Sequence, residues 1–400
     1  MRKWMVLLLL ACIAVPVLAE NEPKAAKVTV EQLERTLAEA QGRPDAEVEQ
    51  QLSGLELTER ISAARFARLK AGLPGEKSNQ ALVILADSAA FLDPPAAEIP
   101  ANPTPDPAGA RQMLTQIVNY VNTTVRQLPN FIATRDTTGF EDRPQENVQE
   151  ATGMVSYGYM PLHFIGKSSV PVTYRDRQEV VDEKALKHGP RIGGLATSGE
   201  FGPILSRVVA DAIAGKITWS RWEVGAGGTE AVFHYAVPHD KSHYNVQFCC
   251  VPEGFNSDGS PVMRVFNESA SYHGEIAFDP ANGAILRITM EAEMPPGELV
   301  SKAGMMVEYS PVEIGGKTYI CPVKSVSILL VHTAQHLGAY SMSKYQGAAK
   351  TFLNDVVFGQ YRRFGSETRI LTGDGGDPNK LFGPASADTP YTPPARAPTH

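Results

Sequence analysis

Few residues in this 400-residue chain have types and spacing that suit chemistry. His332 and His336 stand four apart, a separation that on a helix lets two imidazoles share a metal ion. The string is His332-Thr333-Ala334-Gln335-His336, with no glutamate after the first histidine. It follows a strand-like run, so it reads as a strand-end loop. His239 and His243 flank Asp240 and Lys241 in a polar loop and read the same way. A serine nucleophile on a tight strand-to-helix turn needs a GxSxG-like string, and Ala196-Thr197-Ser198-Gly199 lacks it. Gly373-Asp374-Gly375-Gly376-Asp377 resembles part of a calcium loop without its closing glutamate. Gly193-Gly194 and the run from Gly225 to Gly228 match neither the dinucleotide nor the P-loop spacing. No catalytic residue, metal site or cofactor is expected, and the chain reads as a non-enzyme.

The cysteines come next. Cys12 lies in the N-terminal leader, which leaves Cys249, Cys250 and Cys321. Neighbours on a strand point to opposite faces, so at most one of Cys249 and Cys250 can face Cys321. Tyr244, Val246, Phe248 and Cys250 form the apolar set of that run. Cys250 is therefore the expected partner of a buried Cys321. Three reduced cysteines are the alternative. The absence of a CxxC spacing argues against a metal.

Arg2 and Lys3 precede the apolar run Trp4 to Leu10, and Val17-Leu18-Ala19 supplies a small-residue cleavage site before Glu20. This is the order of a secretory signal over residues 1–19, which places the mature chain in the periplasm or outside the cell. A lipoprotein anchored through Cys12 is the rival reading. It is weakened because Ile13 to Leu18 stay apolar where a tether turns polar. No later segment has the length of a membrane span. Lys and Arg number 37 against 44 Asp and Glu, a net charge of −7. That balance excludes nucleic acid as a main partner, since phosphate binding needs a basic excess.

Residues 20–92 read as a small all-helical domain of about four helices. Thr29 and Gln32 form a capping box before Val30, Leu33 and Leu37. Asp45 caps a second helix through Val48 and Leu52, Thr58 starts a third, and Ser78 to Leu92 is the fourth. Residues 93–108 are a stiff linker, with six prolines between Asp93 and Pro107. Gln112 to Leu128 is amphipathic, and Pro203–Ala214 is one more helix. Period two takes over between and after them. Strand pairs flank Arg175-Asp176-Arg177, Gly225 to Gly228, Asp279-Pro280-Ala281-Asn282-Gly283 and Gly315-Gly316. Residues 109–372 thus read as about ten antiparallel strands with two inserted helices, apolar on one face and polar on the other. Residues 373–400 read as a disordered tail. The fold class is α+β, a helical domain followed by a curved antiparallel half-barrel.

The order of these elements, with the hairpin Glu275-Ile276-Ala277-Phe278-Asp279-Pro280-Ala281-Asn282-Gly283-Ala284-Ile285-Leu286-Arg287 and the strand Val307-Glu308-Tyr309, resembles the periplasmic lipoprotein-carrier superfamily (LolA/LolB-like) over roughly 109–371. That resemblance implies a curved sheet wrapped around helices and enclosing an apolar cavity for lipid or acylated protein. The helical domain and the proline linker are not part of the carrier pattern. The whole chain, including Leu57-Thr58-Glu59-Arg60 and Leu128-Pro129-Asn130-Phe131, also resembles uncharacterised exported bacterial proteins; that resemblance implies export and carries no information on activity. The expected function is non-catalytic binding of an apolar or acylated ligand. The expected lining residues are Phe233, Tyr235, Phe248, Phe278, Leu286, Ile288 and Met290. The alternatives are a scaffold that docks an envelope protein through its helices, and an envelope hydrolase.

Overall fold

The capping box forms as the spacing requires. Thr29 Oγ1 accepts from the Gln32 amide at 3.2 Å, and Gln32 Oε1 accepts from the Thr29 amide at 2.8 Å. Helix α1 (Val30–Glu39) follows, then α2 (Asp45–Ser53), α3 (Ala63–Ala71) and α4 (Glu76–Ser88). Short parallel strands β1 (Ala26–Val28) and β2 (Leu55–Leu57) tie the start of this unit to its middle. Asp45 was expected to cap its own helix. Its carboxylate instead accepts from the Lys77 and Ser78 amides, capping α4. Val30, Leu33, Val48, Leu52, Leu82 and Leu85 form the core of the four helices. The structure, a computed structural model, describes residues 25–123, 125–150, 153–181, 192–195, 197, 199–255, 261–332 and 348–364. Residues 1–19, expected to be a leader and including Cys12, together with Ser198, His336 and residues 373–400, lie outside the described residues.

Helix α5 (Pro107–Thr123) leads into β3 (Phe131–Arg143). Next come β4 (Glu146–Glu150), β5 (Gly153–Tyr157), β6 (Met160–Arg175) and β7 (Gln178–Val181), then α6 (Pro203–Ala214). The remaining strands are β8 (Lys216–Gly225), β9 (Gly228–Val237), β10 (Asn245–Phe255), β11 (Pro261–Ser269), β12 (Ser271–Phe278), β13 (Ile285–Glu293), β14 (Val300–Ile314), β15 (Lys317–His332) and β16 (Ala349–Arg363). Ten of them make one curved, open antiparallel sheet in the order β7-β6-β3-β16-β15-β14-β13-β12-β9-β8. The fold class is the α+β arrangement expected from the sequence.

Turn chemistry fixes much of the register. Gly315 and Gly316 both have positive φ, 61° and 77°, and bring Ile314 opposite Lys317 in a two-residue hairpin. In the Asp279–Gly283 turn the Asp279 amide donates to the Ala284 carbonyl at 2.9 Å. Gly283 has φ of 76°, and an added Cβ there would stand 2.5 Å from the Gln116 backbone of α5. The hairpin tip and the helix therefore fit only with glycine at this position.

Both faces of the sheet are covered in part. On one, α5 and α6 lay Ile117, Tyr120, Leu205, Val208 and Ala212 against Phe233, Tyr235, Phe278, Ile288 and Val307. The alternating polar face was expected to meet water. Over β14–β16 it meets the helical unit instead, where Val83, Ala90 and Phe91 pack on Met306, Val326, Ile328 and Leu353. Strands β10 and β11 form a separate two-stranded ribbon. The ribbon packs Val246, Phe248 and Phe266 on Val300, Ala303 and Leu329.

Candidate functional site

Most of the apolar face is a filled core. Phe233, Tyr235, Phe278, Ile288 and Met290 join a single cluster beneath α5 and α6, each 2% exposed or less. Tyr235 is anchored further by its hydroxyl, which donates to the Thr289 carbonyl at 2.6 Å. Phe248 stands apart from these five, in the ribbon's cluster. Leu286 was expected to point inward with Ile288 and Met290. A register shift between Ala277 and Phe278 places Ile285 opposite Phe278, and Ile285 takes the core position. Leu286 is only partly buried.

One region of this face is not filled. A cavity of about 520 Å³ lies where α6, the ribbon, the sheet and β7 come together. Met290 and Met305 line it from the sheet, and Ile204 and Arg207 from α6. Asn245, Gln247 and Asn267 of the ribbon bring three amides to it, and Leu195, Thr197 and Gly199 line it with Glu179 of β7. Gln247 and Asn267 are register partners, so their amides stand side by side. The cavity thus has an apolar lining of thioether and aliphatic groups and a polar lining that donates and accepts hydrogen bonds.

The wall nearest β7 is held by charge. Arg135 of β3 donates to the Thr197 carbonyl at 2.9 Å and to Thr197 Oγ1 at 2.5 Å. Its guanidinium lies 3.3 Å from Glu200 Oε1 and 3.8 Å from Glu179 Oε1. The Gly199 amide donates to Glu179 Oε2 at 2.8 Å, and the Tyr309 hydroxyl to the Glu200 carbonyl at 3.1 Å. Burial pushes the Glu179 carboxyl up to about 7. The Glu200 charge adds to the rise and Arg135 opposes it.

The chemistry-bearing strings of the sequence fall elsewhere. The His243 ring Nδ1 pairs with Asp211 Oδ1 at 2.7 Å, and Asp211 Oδ2 accepts from the His243 amide and the Tyr272 hydroxyl. Asp211 therefore ties the loop before β10 to α6 and β12. His332 ends β15. Among the described residues no group of three or more His, Cys, Asp or Glu side chains could hold a metal. Cys321 is a free, fully buried thiol and Cys249 is disulfide-bonded, so the expected Cys250–Cys321 bridge is not formed. Cys321 sits instead in an apolar cluster with Phe131, Tyr174 and Phe358.

Comparison with known proteins adds little. No family model and no curated protein matches the chain. Two solved structures are similar over part of it. The complex of Pseudomonas aeruginosa MucA and MucB is 10% identical at a TM-score of 0.20, covering 61% of this chain and 93% of that one. MucB in complex with MucA(peri) is 10% identical at a TM-score of 0.19, covering 64% and 99%. A likeness at this level carries no argument about function. Among the described residues no helix is long and apolar enough to cross a membrane.

The cavity's polar wall was not legible beforehand. Glu179 sits at the end of a hairpin, Arg207 on a helix, and the three amides on strands that leave the main sheet. Nothing in their spacing marks them as neighbours.

Proposed function

We propose that this protein binds an apolar or acylated ligand non-catalytically in the cell envelope. The observation that carries this reading is the cavity beside Met290 and Met305. It falls within the roughly 300–1,000 Å³ range of small-molecule sites. An acyl chain would lie against Met290, Met305, Leu195 and Ile204. Each methylene taken from water would contribute about 0.8 kcal/mol. The headgroup would meet Arg207 and the amides of Asn245, Gln247 and Asn267. The leader over residues 1–19 supports export. The site is smaller than the whole apolar face, because α5 and α6 fill the rest.

The scaffold alternative has less support, since Val83 of α4 and Ala90 and Phe91 just after it are already packed on the chain's own sheet. The reading is tested by native mass spectrometry of the mature protein purified from its own envelope, with lipid extraction. A bound lipid or acylated peptide is expected. It should be lost in Met305→Glu and weakened in Arg207→Glu, whose side chain is exposed and should leave the fold intact. A clean apo mass, with no uptake of added fatty acid or phospholipid, would overturn the reading.

A further inference from the structure

The chain holds four cysteines, Cys12, Cys249, Cys250 and Cys321. Cys249 is disulfide-bonded and Cys321 is a free, buried thiol. Within one chain that leaves Cys12 and Cys250 as partners for Cys249. Cys12 belongs to the segment read as a cleaved leader, so in the mature chain the partner is Cys250. The backbone of the ribbon agrees. Cys249 stands opposite Val265 and Val251 opposite Arg264, which makes Cys250 the extra residue of a β-bulge. On a regular strand adjacent side chains point to opposite faces. At a bulge two residues share one opposing residue, and strict alternation is lost. The bulge thus removes the geometric bar to a bond between neighbours where the sequence sets two cysteines side by side.

We propose that Cys249 and Cys250 are bonded to each other and form a reversible redox site on the ribbon, whose substrate is a dithiol. Two properties separate this bond from a stabilising disulfide. A bond between adjacent residues closes the shortest loop a chain can form. It ties no two elements together and contributes the least that any disulfide can through chain entropy. Cys249 is exposed, on the same face of β10 as Asn245 and Gln247, which line the cavity. An incoming thiolate therefore reaches it from the solvent side. The thiolate attacks Cys249 Sγ, the bond between the two cysteines breaks, and Cys250 leaves as a thiolate that takes up a proton. The second thiolate of the reductant then attacks its own sulfur in the mixed disulfide and releases Cys249 as a thiol. Two electrons pass to the protein, and the reductant ends as a disulfide. The reverse exchange, with a disulfide-bearing oxidant, restores the bond. Cys321 takes no part, because it lies buried among Phe131, Tyr174 and Phe358.

The test needs no ligand, so it stands or falls apart from the acyl-ligand reading. The mature protein is alkylated with iodoacetamide in urea, without reductant, and digested with trypsin. The tryptic peptide 242–264 holds both cysteines. It is expected unalkylated and lighter by two hydrogens than its reduced form, while the peptide with Cys321 is alkylated. In a second measurement the folded protein is treated with dithiothreitol and then with iodoacetamide. Two alkyl groups are expected on peptide 242–264 and none on Cys321. The urea midpoint of the reduced protein should stay close to that of the oxidised one. Cys250→Ser should leave Cys249 open to alkylation in the folded protein without any reductant. A peptide 242–264 crosslinked to one containing Cys12 or to a second copy, or alkylated at both cysteines without reductant, would overturn the pairing. A bond that dithiothreitol reaches only after unfolding, or a reduced protein that unfolds at far lower urea, would make it a structural disulfide and overturn the redox site.

Discussion

Arg60 and Glu223 are 163 positions apart in the chain, and their side chains meet in a buried ion pair at 2.9 Å. Arg60 follows β2 in the helical unit, and Glu223 lies on the edge strand β8. The pair is the centre of a network. Glu223 also takes Arg221 at 2.7 Å and Arg287 at 3.0 Å, and Arg221 reaches Glu275 at 2.6 Å and Asp93 at 3.2 Å. Burial opposes ionisation of Glu223, yet Arg287, Arg60 and Arg221 together hold its carboxyl down to about 2. A second buried contact, Lys324 to Asp87 at 2.6 Å, ties β15 to α4. Paired charges inside an interface fix its geometry more surely than its strength.

Removing the hub of this network should cost more than removing a spoke. Glu223→Ala leaves three guanidinium groups facing one another. It should destabilise the protein by about 3–5 kcal/mol, the range for an unpaired buried charge. Arg60→Ala leaves Glu223 with two partners and should cost about 1–3 kcal/mol. Urea unfolding of both variants measures the difference. Equal and small losses would show that the network is solvated in solution.

Stability should peak in mildly acidic solution. Glu179 and Glu230 ionise at about 7 in the folded protein, against an ordinary 4.5. Burial is the first cause for both. Between those values the folded chain holds more protons than the unfolded chain, so stability falls as pH rises through the window. Glu223 works in the opposite sense. Its contribution is present above its ordinary 4.5 and is lost as pH falls toward about 2. The urea midpoint should therefore be highest near pH 4 to 5 and decline on both sides. A midpoint that rises steadily from pH 5 to 8 would contradict the burial of Glu179 and Glu230.

Gly283→Ala should be severe for a turn residue. The residue has φ of 76°, and its Cβ would press on the backbone of α5. The conformation alone costs about 1–3 kcal/mol for a residue with a side chain. The displaced helix adds to it by opening the core around Ile117. Gly227→Ala is the control, since nothing lies within 4 Å of its Cβ. Thermal unfolding of the two variants should separate them clearly.

Cys321 should be inert in the native protein. It is fully buried, and burial pushes its thiol up to about 12. Thiolate is the reactive form, so alkylation should wait for unfolding. Peptide mass spectrometry after iodoacetamide treatment, with and without urea, measures this. Rapid native labelling at Cys321 would show that the cluster around Phe131 opens readily.

Local signals in the sequence carried far, and long-range ones did not. The Thr29–Gln32 box, the α6 helix at Pro203–Ala214 and the turns at Asp279–Gly283 and Gly315-Gly316 are set by neighbours in the chain, and each formed as read. Period two also found the inward set Ile288 and Met290. It failed at Leu286, because a bulge shifts the alternation by one residue and no composition marks it. Arg287 and Thr289 belong to the polar set of the same strand, yet they are 5% and 4% exposed. Their cover comes from elsewhere in the chain, since Glu223, the partner of Arg287, also pairs with Arg60. Phe248 was placed on the main sheet because its strand alternates as the others do. That β10 and β11 leave the sheet is a matter of pairing, which periodicity does not encode.

Strand β16 lies between β3 and β15, with Phe131 opposite Arg363 and Lys324 opposite Val357. The last described strand is thus the one that joins two halves of the sheet. A ribosome delivers the chain from the other end. Until residues 349–363 emerge, β3 and β15 each present a row of unsatisfied amides and carbonyls, which is the usual template for aggregation. Sheet closure waits on contacts more than 200 positions apart in the chain, so folding should be slow and should follow completion of the chain. A truncation that ends before residue 349 removes only a small fraction of the protein, yet it would leave two sticky half-sheets in place of one slightly shortened domain.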